Sequence, residues 1–300
     1  MNWTPVADSV SLLGESPRWD DRRQCLFWCD IDGRRIGRLD SKGTVNFWPV
    51  HAEPGCLALT DAGWLMVAVR DGLYRFDPHD AHWQMLVPAP YDATVQRFND
   101  GACDRQGRFW VGTMFEPRDR PAARLYRASP SSGGWRLSDQ AGDVVTANGL
   151  AFTRDGQAAR WADTRGHRID SFELDAGSGA LSGRRIWASF DALPAPPAPQ
   201  YGGRPDGACL DVDGGYWVAM YEGGRIVRLD EQGRVTDSVS VPVRCPTMVA
   251  FGGPDLRTMY VTSARHGRPE AELRSQPLAG ALWRAPAPVA GLAVTRVATT

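Results

Sequence analysis

The sequence predicts an all-β chain folded as a six-bladed β-propeller with four-stranded blades, and three observations predict it. One hairpin pattern recurs six times along the 300 residues. The 32 glycines, 22 prolines and 12 tryptophans favour short strands and tight turns. No stretch carries a convincing amphipathic-helix period. The first unit, DRRQCLFWCDIDGRRIGRLD (21–40), holds a turn, an apolar strand, a glycine turn, a second strand and a closing aspartate. The same order recurs in TDAGWLMVAVRDGLYRFD (60–77) and in CDRQGRFWVGTM (103–114) with ARLYRA (123–128). It returns in TRDGQAARWADTRGHRIDSFELD (153–175), LDVDGGYWVAMYEGGRIVRLD (210–230) and GGPDLRTMYVTSARHG (252–267) with GALWRA (280–285). Trp28, Met66, Trp110, Trp161, Trp217 and Tyr260 anchor the units at intervals of 38, 44, 51, 56 and 43 residues. Units of this length match propeller blades, and six of them use up the chain, so residues 1–300 are read as one propeller domain. A β-sandwich also has regular short strands, but it does not predict six copies of one hairpin. The proline-rich DALPAPPAPQYGGRP (191–205) is expected as a surface loop before the fifth unit. VAGLAVTRV (289–297) is expected to return and complete the first blade.

Charge and composition exclude several function classes. Thirty-four basic against 35 acidic residues leave a net charge of −1 with no long single-sign block, unlike a nucleic-acid or anionic-membrane binder. No apolar stretch approaches the ~20 residues of a membrane span, and MNWTPVADS lacks a leader's basic and apolar segments, so the expected location is cytoplasmic. The six cysteines form no CxxC pair and lie in apolar runs, which reads as buried thiols. Nothing signals an oligomer, and a monomer is expected.

Blade architecture supplies a rule for finding a site. Residues at one matching position in each unit converge on the mouth of the central channel. Counting back 10 to 13 residues from each anchor reaches Glu15, Gly55, Asp100, Asn148, Asp206 and Thr247, in segments read as short turns: LGESPRW, FNDGACD, ANGLAF and RPDGACL. Two carboxylates meeting on the axis repel unless a proton or cation lies between them. Oxygen donors from Glu15, Asp206 and the Asn148 side chain suit a hard divalent ion. The five histidines lack the spacing of a zinc site. Ordinary turn chemistry also accounts for NDG, NG and PDG taken singly; Glu15, between Gly14 and Ser16-Pro17, serves no such turn.

At these residues the sequence resembles the senescence-marker protein/gluconolactonase family, also called the regucalcin family. LGESPRWD, RFNDGACDRQGRFWVGTM, ANGLAFTRDG, RPDGACLDVDGGYWVAMYEGGRIVRL and TSARHG occur in the family's order over nearly the whole chain. The resemblance implies a lactonase with one divalent cation (Ca²⁺, Mg²⁺, Mn²⁺ or Zn²⁺) held by the residues matching Glu15, Asn148 and Asp206. It also implies that Arg97, Asn99 and Asp100 hold the ion or the sugar, and that Glu116, in TMFEPRD, touches substrate from a loop that sets substrate choice.

The reaction so implied is hydrolysis of an aldono- or uronolactone. Water activated beside the cation attacks, Asp206 is the general base, Glu15 and Asn148 anchor the ion, and Arg97 and Asn99 hold sugar hydroxyls or the developing oxyanion. GxSxG is absent, Cys103 and Cys209 point into strands, and the glycine-rich segments follow no βαβ pattern, which disfavours serine, thiol and dinucleotide chemistry. Two rivals stand: a non-catalytic metal-binding propeller, and a paraoxonase-like ester hydrolase whose apolar wall would draw on Phe115, Tyr201 and Tyr221.

Overall fold

The computed structural model describes residues 1–193 and 201–299. They form six four-stranded antiparallel sheets, the blades of a propeller. The inner strands, in chain order, are Gly14–Asp20, Pro54–Leu59, Gln96–Cys103, Ala147–Phe152, Arg204–Leu210 and Pro246–Gly252. Each packs against the inner strands of the blades on either side, and the ring closes between the first and the last. One short helix, Glu270–Ser275, lies in the long connection of blade six. Among the described residues no helix is long and apolar enough to cross a membrane.

All six anchors lie on the second strand of their blades, and four of the first strands hold the segments that the sequence suggested were turns. The physical reason is a β-bulge in every inner strand. Pairing with the second strand slips between Glu15 and Arg18, Pro54 and Cys56, Phe98 and Gly101, Asn148 and Ala151, Pro205 and Ala208, and Pro246 and Met248. An extra residue in a bulge is released from the ladder and its neighbour re-aimed, which calls for the glycine, proline, asparagine and aspartate that also make turns. Ser16, at φ +51°, is one such residue; its hydroxyl accepts the Leu57 N–H at 3.0 Å and ties the first two inner strands together.

The core consists of apolar clusters at the faces between neighbouring blades, and Trp28, Trp110, Trp161 and Trp217 are its largest fully buried side chains. Two of these indoles need a polar partner and find it in the turn before their own strand. The buried Asp104 accepts Trp110 Nε1 at 2.9 Å, and the buried Asp211 accepts Trp217 Nε1 at 2.9 Å, Gly215 N at 2.7 Å and Arg228 Nε at 2.7 Å. The recurring aspartate therefore caps the hairpin and satisfies the tryptophan at once.

The chain ends correct two expectations. Thr4–Pro5 supplies the outer strand of blade six, pairing with Trp283–Pro286, so the N-terminus closes the ring. Residues 289–297 do not complete the first blade. They cross the opposite face, where Leu292 N donates to Leu210 O at 2.9 Å and Val297 N to Leu59 O at 2.8 Å, touching blades five and two. Pro286 and Pro288, which lack an N–H, precede this segment and cannot extend a ladder. The expected loop 191–205 falls partly outside the described residues, and its last two residues, Arg204 and Pro205, already belong to the inner strand of blade five.

All six cysteines are free thiols. Cys25, Cys29, Cys56 and Cys245 are buried, whereas Cys103 and Cys209 are half-buried on inner strands near the opposite channel mouth. Burial pushes the Cys103 thiol up to about 12, the wrong direction for a nucleophile.

Candidate active site

The bulges bring side chains from four inner strands to one cavity at the channel mouth. Glu15, Arg97, Asn99, Asn148 and Asp206 all line it. They come from blades one, three, three, four and five, and all are buried. Glu15 and Asn148 immediately precede their bulges, while Asn99 and Asp206 lie within theirs.

A short chain of hydrogen bonds sets these groups. Arg97 Nη1 donates to Asn99 Oδ1 at 2.7 Å, Asn99 Nδ2 donates to Asn148 Oδ1 at 2.8 Å and to Ala147 O at 2.9 Å, and Asn148 Nδ2 donates to Thr164 Oγ1 at 2.7 Å. The two carboxylates are less well served. Burial holds Glu15 well above the usual carboxylate range, and the charges of Asp206 and Asp100 push it the same way. Asp206 is also raised, first by burial and then by Asp100; Arg204, Arg97 and the Asn148 amide pull back. Among the described residues no arginine, lysine or histidine nitrogen comes within 4.0 Å of either carboxylate. Two buried carboxylates without a close cationic partner, beside an amide, form a cluster of oxygen donors, which fits a hard divalent cation. No group of three His, Cys, Asp or Glu side chains gathers among the described residues, so the third protein donor has to be the amide.

Two expected site residues are not brought onto the lining. Asp100 lies behind it, where Oδ1 accepts Gly101 N at 2.8 Å, Oδ2 accepts Leu150 N at 3.0 Å, and Arg18 Nη2 stands 3.8 Å away. It therefore braces the bulges of blades three and four. Glu116 is half-buried on the rim, joined to both terminal nitrogens of Arg70 at 2.8 Å and 3.8 Å from Arg97 Nε. The Arg70 hydrogen bonds lower its pKa, so it is held as a carboxylate. The other two head positions serve the ring itself. A Cβ on Gly55 would collide with the Phe98 backbone, and Thr247 Oγ1 donates to Gly14 O at 2.5 Å.

Sequence reasoning missed Met114, Arg118, Thr164, Arg165 and Arg204, which also line the cavity. A signal for two of them existed. Counting forward four residues from Trp110, Trp161 and Trp217 reaches Met114, Arg165 and Tyr221, the point where each second strand turns back at the same mouth. Of the aromatics considered for an apolar wall, Tyr221 lines the cavity, whereas Phe115 and Tyr201 are buried outside its lining.

Gly149 is where backbone and site are most tightly joined. It has φ +56°, its carbonyl accepts the Tyr216 hydroxyl at 2.6 Å, and a Cβ there would meet that hydroxyl and come within 2.8 Å of Asp206 O. Gly149→Ala is expected to lower stability by about 1–3 kcal/mol, measured by thermal unfolding followed by circular dichroism. An unchanged midpoint would show that the bulge tolerates a side chain.

The description of the SMP-30/Gluconolactonase/LRE-like region matches residues 13–265. A 6-deoxy-6-sulfogluconolactonase of Pseudomonas putida is 42% identical over 289 residues, covering 96% of each chain. Regucalcin of Xenopus laevis is 32% identical over 303 residues, covering 98% of this chain and 96% of its own. Among solved structures, a calcium-binding protein, regucalcin, from Agrobacterium tumefaciens superposes with a TM-score of 0.88 at 24% identity, covering 97% of this chain and 96% of that one, a likeness of fold.

Proposed function

The chain belongs to the SMP-30/gluconolactonase/LRE-like family, and from that premise we propose that it hydrolyses a sugar lactone, an aldono- or uronolactone, to the open sugar acid. It is read as a hydrolase of carboxylic ester bonds that uses one divalent cation. The observation that carries the reading is the meeting of Glu15, Asn148 and Asp206, from three blades, on one cavity that also holds Arg97 and Asn99. The Pseudomonas relative, named a 6-deoxy-6-sulfogluconolactonase, supports it over 96% of the chain.

Glu15, Asn148 and Asp206 would hold the cation, with Ca²⁺, Mg²⁺, Mn²⁺ and Zn²⁺ as the ions to test. Bound there, such an ion supplies polarisation of the lactone carbonyl and a more acidic water. The chain's own groups do the rest. Asp206 takes a proton from the attacking water as its oxygen bonds to the acyl carbon. Cleavage of the bond between acyl carbon and ring oxygen then returns a proton to that oxygen, leaving a hydroxyl and a carboxylic acid. Arg97, kept in place by Asn99 Oδ1, would steady negative charge on the carbonyl oxygen and hold sugar hydroxyls. Asp100 acts at one remove as a positioning residue. Glu116 keeps Arg70 and Arg97 oriented on the rim.

At neutral pH the acid product ionises, so turnover releases protons. Purified protein supplied with each divalent ion in turn is expected to acidify a weakly buffered solution of at least one aldono- or uronolactone faster than the lactone opens spontaneously. No acceleration on any lactone with any of the ions, from folded protein, would remove the lactonase reading and favour a binding propeller or another ester hydrolase.

A further inference from the structure

Opening a lactone needs a second proton transfer besides the one that activates water. The ring oxygen has to take up a proton as its bond to the acyl carbon breaks, because an aliphatic alkoxide leaves poorly without one. Few groups on the cavity lining can give it. Among the described residues that line it there is no histidine, cysteine or lysine. Arg97, Arg118, Arg165 and Arg204 carry guanidiniums, which do not give up a proton in proteins. Thr146 and Thr164 carry aliphatic hydroxyls, no more acidic than the alcohol that is leaving. Glu15 and Asp206 are engaged with the cation and the attacking water. The remaining proton-bearing group of suitable acidity is Tyr221. A phenol, with an ordinary pKa of about 10, keeps its proton at neutral pH and is still far more acidic than a sugar hydroxyl.

The geometry leaves this hydroxyl free and holds its ring still. Tyr74, Tyr91, Tyr201 and Tyr216 each place their hydroxyl in a protein hydrogen bond, and Tyr126 and Tyr260 lie off the cavity lining. The Tyr221 hydroxyl makes no hydrogen bond among the described residues and is not sealed in, although its side chain is half-buried in the lining. A tyrosine at such depth ordinarily finds a partner for that group. Tyr221 ends the second strand of blade five, opposite Arg204 on the inner strand, two residues before Asp206. Arg204 Cζ stands 5.2 Å from the centre of the Tyr221 ring. Arg204 is held in turn by Glu222 at 2.9 Å, Glu222 by Arg268 at 2.7 Å, and Arg268 by Glu272 at 2.7 Å. This row of alternating charges reaches into the long connection of blade six and gives the ring a fixed backing. Just beyond Tyr221 the chain turns, with Gly223 N donating to Met220 O at 2.8 Å, and a Cβ on Gly223 would meet Gly202 O.

We propose that Tyr221 is a catalytic residue, the acid whose hydroxyl gives its proton to the ring oxygen of the lactone. This rests on the lactonase reading above and deepens it by naming the donor. Water's proton passes to Asp206 as its oxygen bonds to the acyl carbon. The bond between acyl carbon and ring oxygen then breaks, its electron pair goes to that oxygen, and the Tyr221 proton arrives there in step. The phenolate left behind recovers a proton from Asp206, which returns both groups to their starting forms. The product is the open hydroxy acid, and the proton released at neutral pH comes from its own new carboxyl group.

The test is Tyr221→Phe, which keeps the ring and removes the proton. On the aldono- or uronolactone that the parent opens fastest, corrected for spontaneous opening, kcat is expected to fall by about 10²- to 10³-fold with KM within about threefold of the parent. The melting temperature, and its rise when the divalent ion is added, are expected to match the parent, because the lost hydroxyl has no protein partner. The ring-sulfur counterpart of the same lactone supplies the contrast, since a thiolate is a weaker base than an alkoxide and leaves without a proton. On that thiolactone the loss is expected to be smaller by about tenfold or more. A kcat for the oxygen lactone within about threefold of the parent assigns the ring-oxygen proton to Asp206 and overturns the inference, while the lactonase reading stands. An equal loss on both rings, or a loss carried wholly by KM, overturns it too. A parent that opens no lactone with any of the ions overturns both.

Discussion

Stripped of divalent ions by a chelator, the protein is expected to open lactones no faster than water does, and to recover when one ion is added back. The reason lies in the wall of the cavity. Burial raises both Glu15 and Asp206, the charges of Asp206 and Asp100 push Glu15 further and that of Asp100 pushes Asp206, and no cationic side chain of the described residues comes within 4.0 Å to relieve them. A cation held by these groups would offset the burial and the neighbouring negative charge and favour the charged forms that the chemistry needs. An ion that binds the folded chain and not the unfolded one would also stabilise it by about 2.7 kcal/mol at a hundredfold excess over its Kd, a rise of several degrees in melting temperature. Thermal melts and proton release are to be measured on the same stripped and reloaded samples. Chelated protein that melts and turns over like the untreated protein would sink the metal site.

Asp206→Asn is expected to lower kcat/KM by about 10²- to 10⁴-fold, the usual worth of a general base. Asparagine keeps the shape and one oxygen but cannot accept the water's proton. The same change removes a buried negative charge that Asp100 repels, so the metal-free variant should melt no lower than the metal-free parent. That pairing of results separates chemistry from folding: a loss of turnover with a large loss of stability would point to structural damage, and turnover within tenfold of the parent would reassign the base. A protein that only bound a ligand would have no turnover to lose.

How the sequence reveals and conceals this architecture depends on which physical signal each residue obeys. Trp28, Met66, Trp110, Trp161, Trp217 and Tyr260 mark the blades because a buried second strand needs a large apolar residue at one recurring place, and that need is local. The inner strands were harder to read. Ser16-Pro17, Asn99-Asp100 and Asp206-Gly207 look like turns because a bulge and a turn both release backbone from a ladder, and they draw on the same residues. The head positions were nevertheless legible as positions, since Glu15, Asn148 and Asp206 keep a nearly constant offset from their anchors.

Other features had no local signature. Nothing near Asp100 says that its carboxylate turns to Gly101 and Leu150 instead of the cavity, because that depends on the neighbouring blade. Glu116 sits 46 residues from Arg70, and only ring geometry makes them partners. Strand character alone suggested that 289–297 completes the first blade; that blade already has its fourth strand in Val45–Pro49, the outer edge of blade six is taken by Thr4–Pro5, and the segment lies instead across the far face.

By itself, then, the sequence determined the number of blades, the strand chemistry and the residues at each blade head, because repeated burial and turn formation act over a few residues and recur with the unit. The tertiary structure decided which heads face the cavity, which arginines are neutralised and which end of the chain closes the ring. Those outcomes depend on approaches between blades dozens of residues apart, where a partner's charge or a neighbour's carbonyl, and not local preference, sets the lower free energy.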